Sequence, residues 1–422
     1  MANYIALLIP VFLLLIGIEW WYSYQREDRR YHGPNTALNM AVGAIDQLGA
    51  LLYMLLLYVA MDYSKQHFQM VEMSLDWRQW LLAFFAVDFT SYWYHRCSHR
   101  VNFLWAGHVT HHSSSYFNLS NGFRTSPFQG LFRIPFWMLM PIVGFDPLLL
   151  LVTFKVVGLH DFFVHTPYVA KLGWLEKVIV TPSHHRVHHG KNDLYIDKNY
   201  GSFLIIWDKM FGTFQEETET VEYGITSAYT DDSPVHAITY YFKILAKQWS
   251  LTPGLWNKVR VWFMPPGWRA EIQGMAFRKT SLRGVNPLSK KQKQYAVWLL
   301  AVGVCGFVLT LFAYRLYVVF LVGFTFLFSV SSILQGALLL NHGLTNDIRF
   351  WEKFRLFVFL LFVVFIVDIH WVIGLLILLC LLLSGFMCWK WTSPGESQTW
   401  GDLREIAKNP YTHYGLSQRR KG

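Results

Sequence analysis

The stretch HRCSHRVNFLWAGHVTHH, from His95 to His112, holds five histidines in eighteen residues, and PSHHRVHHG (182–190) holds four more. With His160 and His165, eleven of the chain's 17 histidines fall between His95 and His189. Imidazole at this density points to metal binding, because its neutral form offers a lone pair to a cation. A single histidine in an apolar chain is ordinarily interfacial or hydrogen-bonded, which is the reading for His32, His67, His236, His342, His370 and His413. Eleven clustered imidazoles beside lipid cannot all satisfy one another, and a metal converts their lone pairs into bonds.

The spacings favour helices. His95 and His99 share a helix face, and His108, His111 and His112 combine offsets of three and four, as do His185, His188 and His189. Ser183 is the expected N-cap and Gly190 the expected stop of a two-turn helix presenting the last set. His160 and His165 lie about 140° apart on an ideal helix, so they share a face only if the helix ends between them. Pro167 favours such an ending. Sulfur is excluded as a ligand: Cys97, Cys305, Cys380 and Cys388 are scattered and form no paired motif. Structural zinc usually recruits sulfur, so a histidine-only set large enough for two ions points elsewhere. Imidazole suits iron, copper, nickel and zinc alike. Oxidation of an unactivated lipid C–H bond gives a dinuclear centre a reason to sit beside a bilayer, and iron is the commonest metal for that task.

The elements that must position these residues read as membrane helices. Hydrophobic residues make up 53% of the 422, aromatics 18% and charged residues only 15%, the balance of an integral membrane protein. The net charge of +10 is interleaved with Trp, Phe and Tyr, which fits anionic lipid headgroups and excludes nucleic acid as a partner. Spans are expected near 4–22, 38–61, 77–94, 295–314, 316–340, 355–367 and 371–389. Shorter apolar runs near 128–143 and 147–165, joined by GFDP, predict a helical hairpin that dips into the bilayer and returns. The N-terminus lacks a basic leader and cleavage site, so the first span is expected to be retained. The stretch 251–271 mixes Trp, Phe, Arg and Pro, and is expected either to lie in the headgroup layer or to pack as an aromatic-rich loop. Five regions follow: membrane helices (1–76), a histidine-box catalytic domain (77–225), an interfacial segment (226–294), C-terminal helices (295–390) and a polar tail (391–422). With Arg26, Arg29 and Arg30 on the cytosolic side, all eleven clustered histidines arrive on that side too. The expected architecture is all-α and polytopic, with a cytosolic-facing di-metal domain.

HRCSH, HVTHH and HHRVHH resemble the three histidine boxes of the fatty acid hydroxylase/sterol desaturase superfamily of membrane di-iron oxygenases. WAGHVTHHSSSYFNLSNGFRTS and TPSHHRVHHGKNDLYIDKNYGSFLIIWDKMFGTF are similar to its alkylglycerol monooxygenase branch, over about 80–225. The resemblance implies two iron ions, O2, tetrahydrobiopterin as electron donor, and cleavage of an ether lipid to fatty aldehyde and glycerol. It implies a bacterial cell membrane or the endoplasmic reticulum as location. It carries His95, His99, His108, His111, His112, His160, His165, His185, His188 and His189 over as metal ligands, with His184 beside them. Two positions depart from the pattern: Arg100 and Ser115 stand where the family often has acidic residues. If those carboxylates serve the pterin, another donor or another lipid follows.

Asp88, Asn118, His184 and Asp197 are candidates to orient the ligands, and Asn121, Asn199 and Glu176 are further polar residues near the boxes. Ordinary capping accounts for such residues equally well. The alternatives are a sterol or fatty-acyl hydroxylase or desaturase fed by a separate electron-donor protein, and a histidine-rich membrane metal transporter.

Overall fold

A computed structural model of the protein describes residues 2–227, 229, 233–268, 288–313, 319–342, 346–369 and 371–392. Among them the chain is helical, and its extended pairings are two isolated bridges, Ile179 with Leu204 and Gly190 with Tyr223. Three long helices lead: α1 (Ala2–Arg26), α2 (Gly33–Phe68) and α3 (Trp77–Arg100). A short α4 (Asn102–His112) and a 3-10 turn (Leu119–Phe123) precede the hairpin of α5 (Pro127–Trp137), α6 (Leu139–Val143) and α7 (Pro147–Phe163). Next come α8 (Pro182–His188), α9 (Ile206–Met210), α10 (Pro234–Leu251) and α11 (Leu255–Phe263). The last four are α12 (Lys290–Ala313), α13 (Val319–His342), α14 (Asn346–Ile369) and α15 (Trp371–Thr392).

The chain divides into two compact units, Met1–Trp351 and Glu352–Gly422. All the clustered histidines lie in the first. In the second, Arg355 donates to Glu352 at 2.8 and 2.9 Å within α14. His370, His413 and the polar tail from 393 onward lie outside the described residues.

Among the described residues, Gly323–His342 in α13 is long and apolar enough to cross a membrane. Helix α2 adds a second if its halves, Gly33–Ala50 and Leu52–Phe68, bent by 42°, form one span. The expected spans at 4–22, 77–94 and 295–314 fall on α1, α3 and α12. Part of 316–340 lies outside the described residues, while 355–367 and 371–389 fall on α14 and α15. Helix α3 is long but not uniformly apolar, because Asp88, Arg96 and the histidines interrupt it.

The helices begin and end for local reasons. Asp76 caps α3 by accepting from the main-chain N–H groups of Arg78 and Gln79 at 2.8 and 3.2 Å. Val101, extended at φ −125°, breaks α3 from α4 and so changes the direction in which the second box points. The GFDP turn forms as expected: Gly144 adopts φ 121°, and Asp146 caps α7 through Leu148 and Leu149. Gly130 lets α5 lie against α2, since a Cβ there would come within 2.5 Å of the Tyr53 ring. Leu57, Met61, Val87, Trp137 and Leu150 pack α2, α3 and the hairpin into one core. The cap of α8 differs from expectation. Thr181, not Ser183, is the N-cap, because Pro182 takes the first helical position, where its missing N–H costs nothing.

Segment 251–271 contains the helix α11, flanked by loop at 252–254 and 264–268, and its residues 269–271 lie outside the described residues. Val261 of α11 is buried against α4, and Asn102 binds the carbonyls of Val261 and Met264, while Leu255, Trp256 and Phe263 are exposed.

One buried carboxylate ties the first helix to the site region. Glu19 of α1 accepts from the Leu119 N–H at 2.8 Å and from the Tyr31 and Thr166 hydroxyls at 2.5 Å each. Removing it leaves three donors without their acceptor. Glu19→Ala is expected to destabilise the protein by about 2–4 kcal/mol, read as a lower thermal midpoint in detergent, with Glu19→Gln recovering part of the loss. An unchanged midpoint would show that this contact does not hold α1 in place.

Candidate metal centre

Nine of the ten histidines carried over as ligands gather into two groups. His95, His99, His108, His112 and His188 form one, and His111, His165, His185 and His189 the other, with one ring nitrogen from each member within 4.8 Å of the rest. The helical repeat explains the division. Residues four apart stay together, so His108 pairs with His112 and His185 with His189, while the intervening His111 and His188 turn to the opposite group. Helix α3 completes the first group with His95 and His99, and the end of α7 completes the second with His165. The groups adjoin: the His112 and His189 rings are stacked with centroids 4.5 Å apart.

The outer nitrogens fix which face each ring presents. Nδ1 of His95 lies 2.8 Å from the Tyr200 carbonyl, and Nδ1 of His188 lies 2.9 Å from that of Lys198. Nδ1 of His111 lies 3.3 Å from the Arg124 carbonyl, and Nδ1 of His165 lies 2.5 Å from that of Asp161. Nδ1 of His108 faces Gln129 Oε1 at 2.9 Å. An oxygen acceptor requires Nδ1 to carry the proton, which leaves Nε2 as a bare lone pair.

Those lone pairs point at one another. In the first group the Nε2 separations are 3.0 Å for His95–His108, 3.0 Å for His108–His112 and 3.2 Å for His112–His188. In the second they close a ring: His111–His165 3.2 Å, His165–His185 2.9 Å, His185–His189 3.1 Å and His189–His111 3.0 Å. Two unprotonated acceptors cannot bond each other, so His95 with His108 and His111 with His165 need a cation between them. The corners of a square with edges of ~3 Å lie ~2.1 Å from its centre, the length of a metal–imidazole bond. His99 Nε2 is buried and has no partner among the described residues, as expected of an atom reserved for an ion. The residues fit two metal ions.

Burial, reinforced by neighbouring imidazoles, drives the pKa values of His108, His111, His112, His185, His188 and His189 well below the ordinary value. Burial pushes His165 down to about 4. The cluster is neutral at pH 7 and its lone pairs are free to bind.

His160 stands outside both groups. It is still within α7, where its Nδ1 donates to the Ser202 carbonyl at 3.1 Å and its ring lies on Phe203, whereas His165 lies beyond the helix end. Asp197 is near one of the grouped histidines: its Oδ1 lies 3.7 Å from His99 Nδ1, and Arg100 binds its Oδ2 at 2.6 Å. Burial alone would raise this carboxyl, but His99 and Arg100 hold it down to about 2. Arg100, one of the two departures from the family pattern, is thus engaged with Asp197; Ser115, the other, is exposed.

The other candidates act through the backbone. Asp88 touches no imidazole: two turns of α3 separate it from His95, and it accepts from Phe203 N, Leu204 N and Trp207 Nε1 at 2.8, 3.1 and 2.8 Å. Asn118 caps the 3-10 turn through Ser120 and reaches the Arg30 carbonyl. His184 Nδ1 accepts from Thr181 N at 3.3 Å, which caps α8 and directs the ring away from both groups. Asn121 bonds the Tyr116 carbonyl, Asn199 the carbonyls of His184 and Gln215, and Glu176 the Thr181 hydroxyl. Gln129 and the carbonyls of Arg124, Asp161, Lys198 and Tyr200 were not foreseen. A main-chain carbonyl leaves no trace in residue identity, and the one signal for Gln129 is a polar residue in an apolar hairpin.

A cavity of about 730 Å³ opens against the groups, walled by His95, His108, His111, His165 and His185 and lined mainly by apolar side chains of α1, α2, the hairpin, α12 and α13.

Residues 80–213 match the fatty acid hydroxylase family model, which spans all ten histidines carried over as ligands. The human alkylglycerol monooxygenase is 37% identical over 274 residues, covering 63% of this chain and 60% of that enzyme. The zebrafish (Danio rerio) alkylglycerol monooxygenase is also 37% identical, over 280 residues with the same coverage. Ornithine lipid hydroxylase OlsE of Rhizobium tropici is 30% identical over 157 residues, covering 35% of this chain and 47% of that enzyme. The chain thus spans about 60% of the length of the curated alkylglycerol monooxygenases from human, zebrafish and Xenopus tropicalis. No solved structure matches. The resemblance read from the histidine boxes is borne out.

Two outcomes follow. Gln129→Leu removes the acceptor that holds His108 and is expected to weaken metal binding by roughly 10–100-fold, measured by metal content after dialysis against a graded chelator. Full retention would show that His108 needs no such support. Separately, unfolded histidines take up protons near pH 6.5 while the buried ones resist until far lower, so between those values the unfolded state binds more protons. The metal-free protein should therefore hold its denaturation midpoint above about pH 7.5 and lose it steeply below about 6.5. A midpoint equal at pH 8 and 5.5 would contradict the buried, neutral cluster.

Proposed function

We propose that the protein is a membrane di-iron monooxygenase that cleaves the ether bond of an alkylglycerol lipid. The observation that carries this reading is the meeting of two histidine groups with a mainly apolar cavity of about 730 Å³. Sulfur-free ligation by nine imidazoles suits a redox metal that keeps positions open for oxygen. The similarity to alkylglycerol monooxygenases, on the same residues, favours the ether bond as the target.

Overall, one oxygen atom of O2 enters the C–H bond beside the ether oxygen, and the other leaves as water, reduced by two electrons from a donor. The hemiacetal so formed collapses to fatty aldehyde and glycerol. Bound iron would supply the oxidising power for the first step, held by His95, His99, His108, His112 and His188 in one group and His111, His165, His185 and His189 in the other. The chain's own residues do the rest. Apolar side chains of α1, α12 and α13 take up the alkyl tail and exclude water, which protects the oxidising site from unproductive turnover. Four main-chain carbonyls and Gln129 fix the tautomers of five of the rings, which turn their Nε2 lone pairs inward. Tetrahydrobiopterin is the proposed donor, with a protein donor as the alternative. The metal groups are placed on the cytosolic side of the bacterial or endoplasmic reticulum membrane, where the basic residues around the boxes favour an anionic surface.

Membranes bearing the iron-loaded protein should release fatty aldehyde from a 1-O-alkylglycerol only when oxygen and reduced pterin are both present. His188→Ala should abolish release while the protein stays in the membrane fraction. Aldehyde formed without oxygen, or undiminished in the variant, would end this reading. Hydroxylated or unsaturated lipid in place of aldehyde would move the assignment to a hydroxylase or desaturase.

A further inference from the structure

Helix α11 (Leu255–Phe263) has nine residues and rises about 14 Å, less than half of a ~30 Å hydrocarbon layer, so it does not span. Its two faces differ. At about 100° per residue, Leu255, Trp256, Val259 and Phe263 fall within an arc of roughly 100°. All four are exposed, Leu255 to 78% and Trp256 to 72%. Val261 falls on the opposite side and is completely buried, packed with Ala106 and Val109 of α4 and Tyr241 and Leu245 of α10.

Hydrogen bonds fix that orientation. Asn102, the first residue of α4, donates from its side chain to the Val261 carbonyl at 2.8 Å and from its main chain to the Met264 carbonyl at 3.0 Å. Tyr241 of α10 in turn donates to the Asn102 side chain at 2.9 Å. With both ends of its buried edge held in this way, α11 cannot roll its apolar stripe inward.

The cations flank the stripe. Lys258 lies on one side of it and Arg260 on the other, each roughly 100° from its centre. Each is steadied by an indole: Lys258 Nζ lies 4.7 Å from the Trp249 ring centroid, and the Arg260 guanidinium 4.7 Å from that of Trp268. Helix α10 adds the exposed Lys243 and Lys247. From Pro234 to Trp268 the chain has these four cations and no Asp or Glu, and α4, against which α11 packs, has no carboxylate either. A short helix with an apolar stripe, flanking cations and tryptophans at its edges has the composition of one that lies in the headgroup layer. Cations with no carboxylate on the elements around them call for an anionic surface.

We propose that α11 lies in the plane of the membrane surface, with Leu255, Trp256, Val259 and Phe263 at the acyl boundary and Lys258 and Arg260 on the headgroups of acidic phospholipid. This seat adjoins the metal centre, because α4 begins at Asn102 and carries His108, His111 and His112. The proposal rests on the membrane character of the chain and not on the reaction it performs.

Full-length protein in nanodiscs of mixed phosphatidylcholine and phosphatidylglycerol would receive a trace of either lipid carrying a photoreactive diazirine high in its acyl chain. Labelled positions would then be mapped by peptide mass spectrometry. Label is expected on Leu255, Trp256, Val259 and Phe263 and not on Val261, with the phosphatidylglycerol probe favoured by about threefold or more. On Leu327, exposed on α13, the two probes should label equally. Lys258→Gln combined with Arg260→Gln should bring the ratio on α11 down to that on α13. If that variant does not fold, the pattern and the ratio in the unaltered protein decide by themselves. A stripe without label while Leu327 is labelled would mean that protein, from this chain or a second copy, covers it, and would overturn the proposal. Equal labelling of the stripe by the two probes, or a preference that survives the double variant, would do the same. Label on neither helix would overturn it together with the membrane reading.

Discussion

The rest of the structure depends on one constraint: unprotonated imidazole nitrogens are drawn to within about 3 Å of each other in a buried site. That separation suits neither van der Waals packing of like dipoles nor hydrogen bonding, since at least five of the rings present a lone pair inward. It becomes favourable when cations occupy the centres. Without them, each ring must be held against its neighbours by contacts on its outer edge. Metal binding would therefore be coupled to folding in this region.

The outer contacts show how the scaffold meets that demand. Four of the five Nδ1 acceptors are main-chain carbonyls, which do not swing as side chains do. The carbonyls themselves sit on segments pinned by buried charge. Asp208 accepts from the N–H groups of Tyr200 and Gly201 and the Thr213 hydroxyl, all at 2.7 Å. Asp88 grips the next residues of the same loop. The fully buried Arg124 bonds the Thr110 carbonyl, the Ser113 hydroxyl, Asn39 and Tyr229, joining the end of α4 to α2. Hence His95 is placed by two carboxylates that never touch it. Such indirect placement makes the site sensitive to substitutions some distance from any ligand.

This also explains what the sequence disclosed. Histidine spacing marks a helix face, so the four-residue pairs His95/His99, His108/His112 and His185/His189 were legible, and each pair does stay within one group. Which boxes meet to complete each group was not, because it depends on the direction in which α4 turns away from α3 at Val101. His160, which the resemblance carries over as a ligand, stands outside both groups: α7 continues past it, and its ring goes to the Ser202 carbonyl. The GFDP hairpin was legible since glycine and a capping aspartate specify local geometry. Carbonyl acceptors were invisible, because every residue has one. The membrane character expected from composition has narrower direct support in α13, whose apolar run carries no charge, and in the bent α2, where Asp46 interrupts an otherwise apolar run.

The cavity beside the histidine groups bears on how an oxygenase of this kind would choose one bond among many. The C–H bonds of an alkyl chain are nearly alike in strength, and an apolar tunnel grips them all equally, so the tail cannot set register. Register must come from a polar anchor at a fixed distance from the metals. Helix α5 offers such a spacing: Gln129 holds the His108 imidazole, and Arg133, one turn on, lines the same cavity. Because a helix turn is stiff, the distance between anchor and centre is insensitive to tail length. Oxidation at the head–tail junction, and tolerance of varied chains, would then both follow from the pitch of one helix.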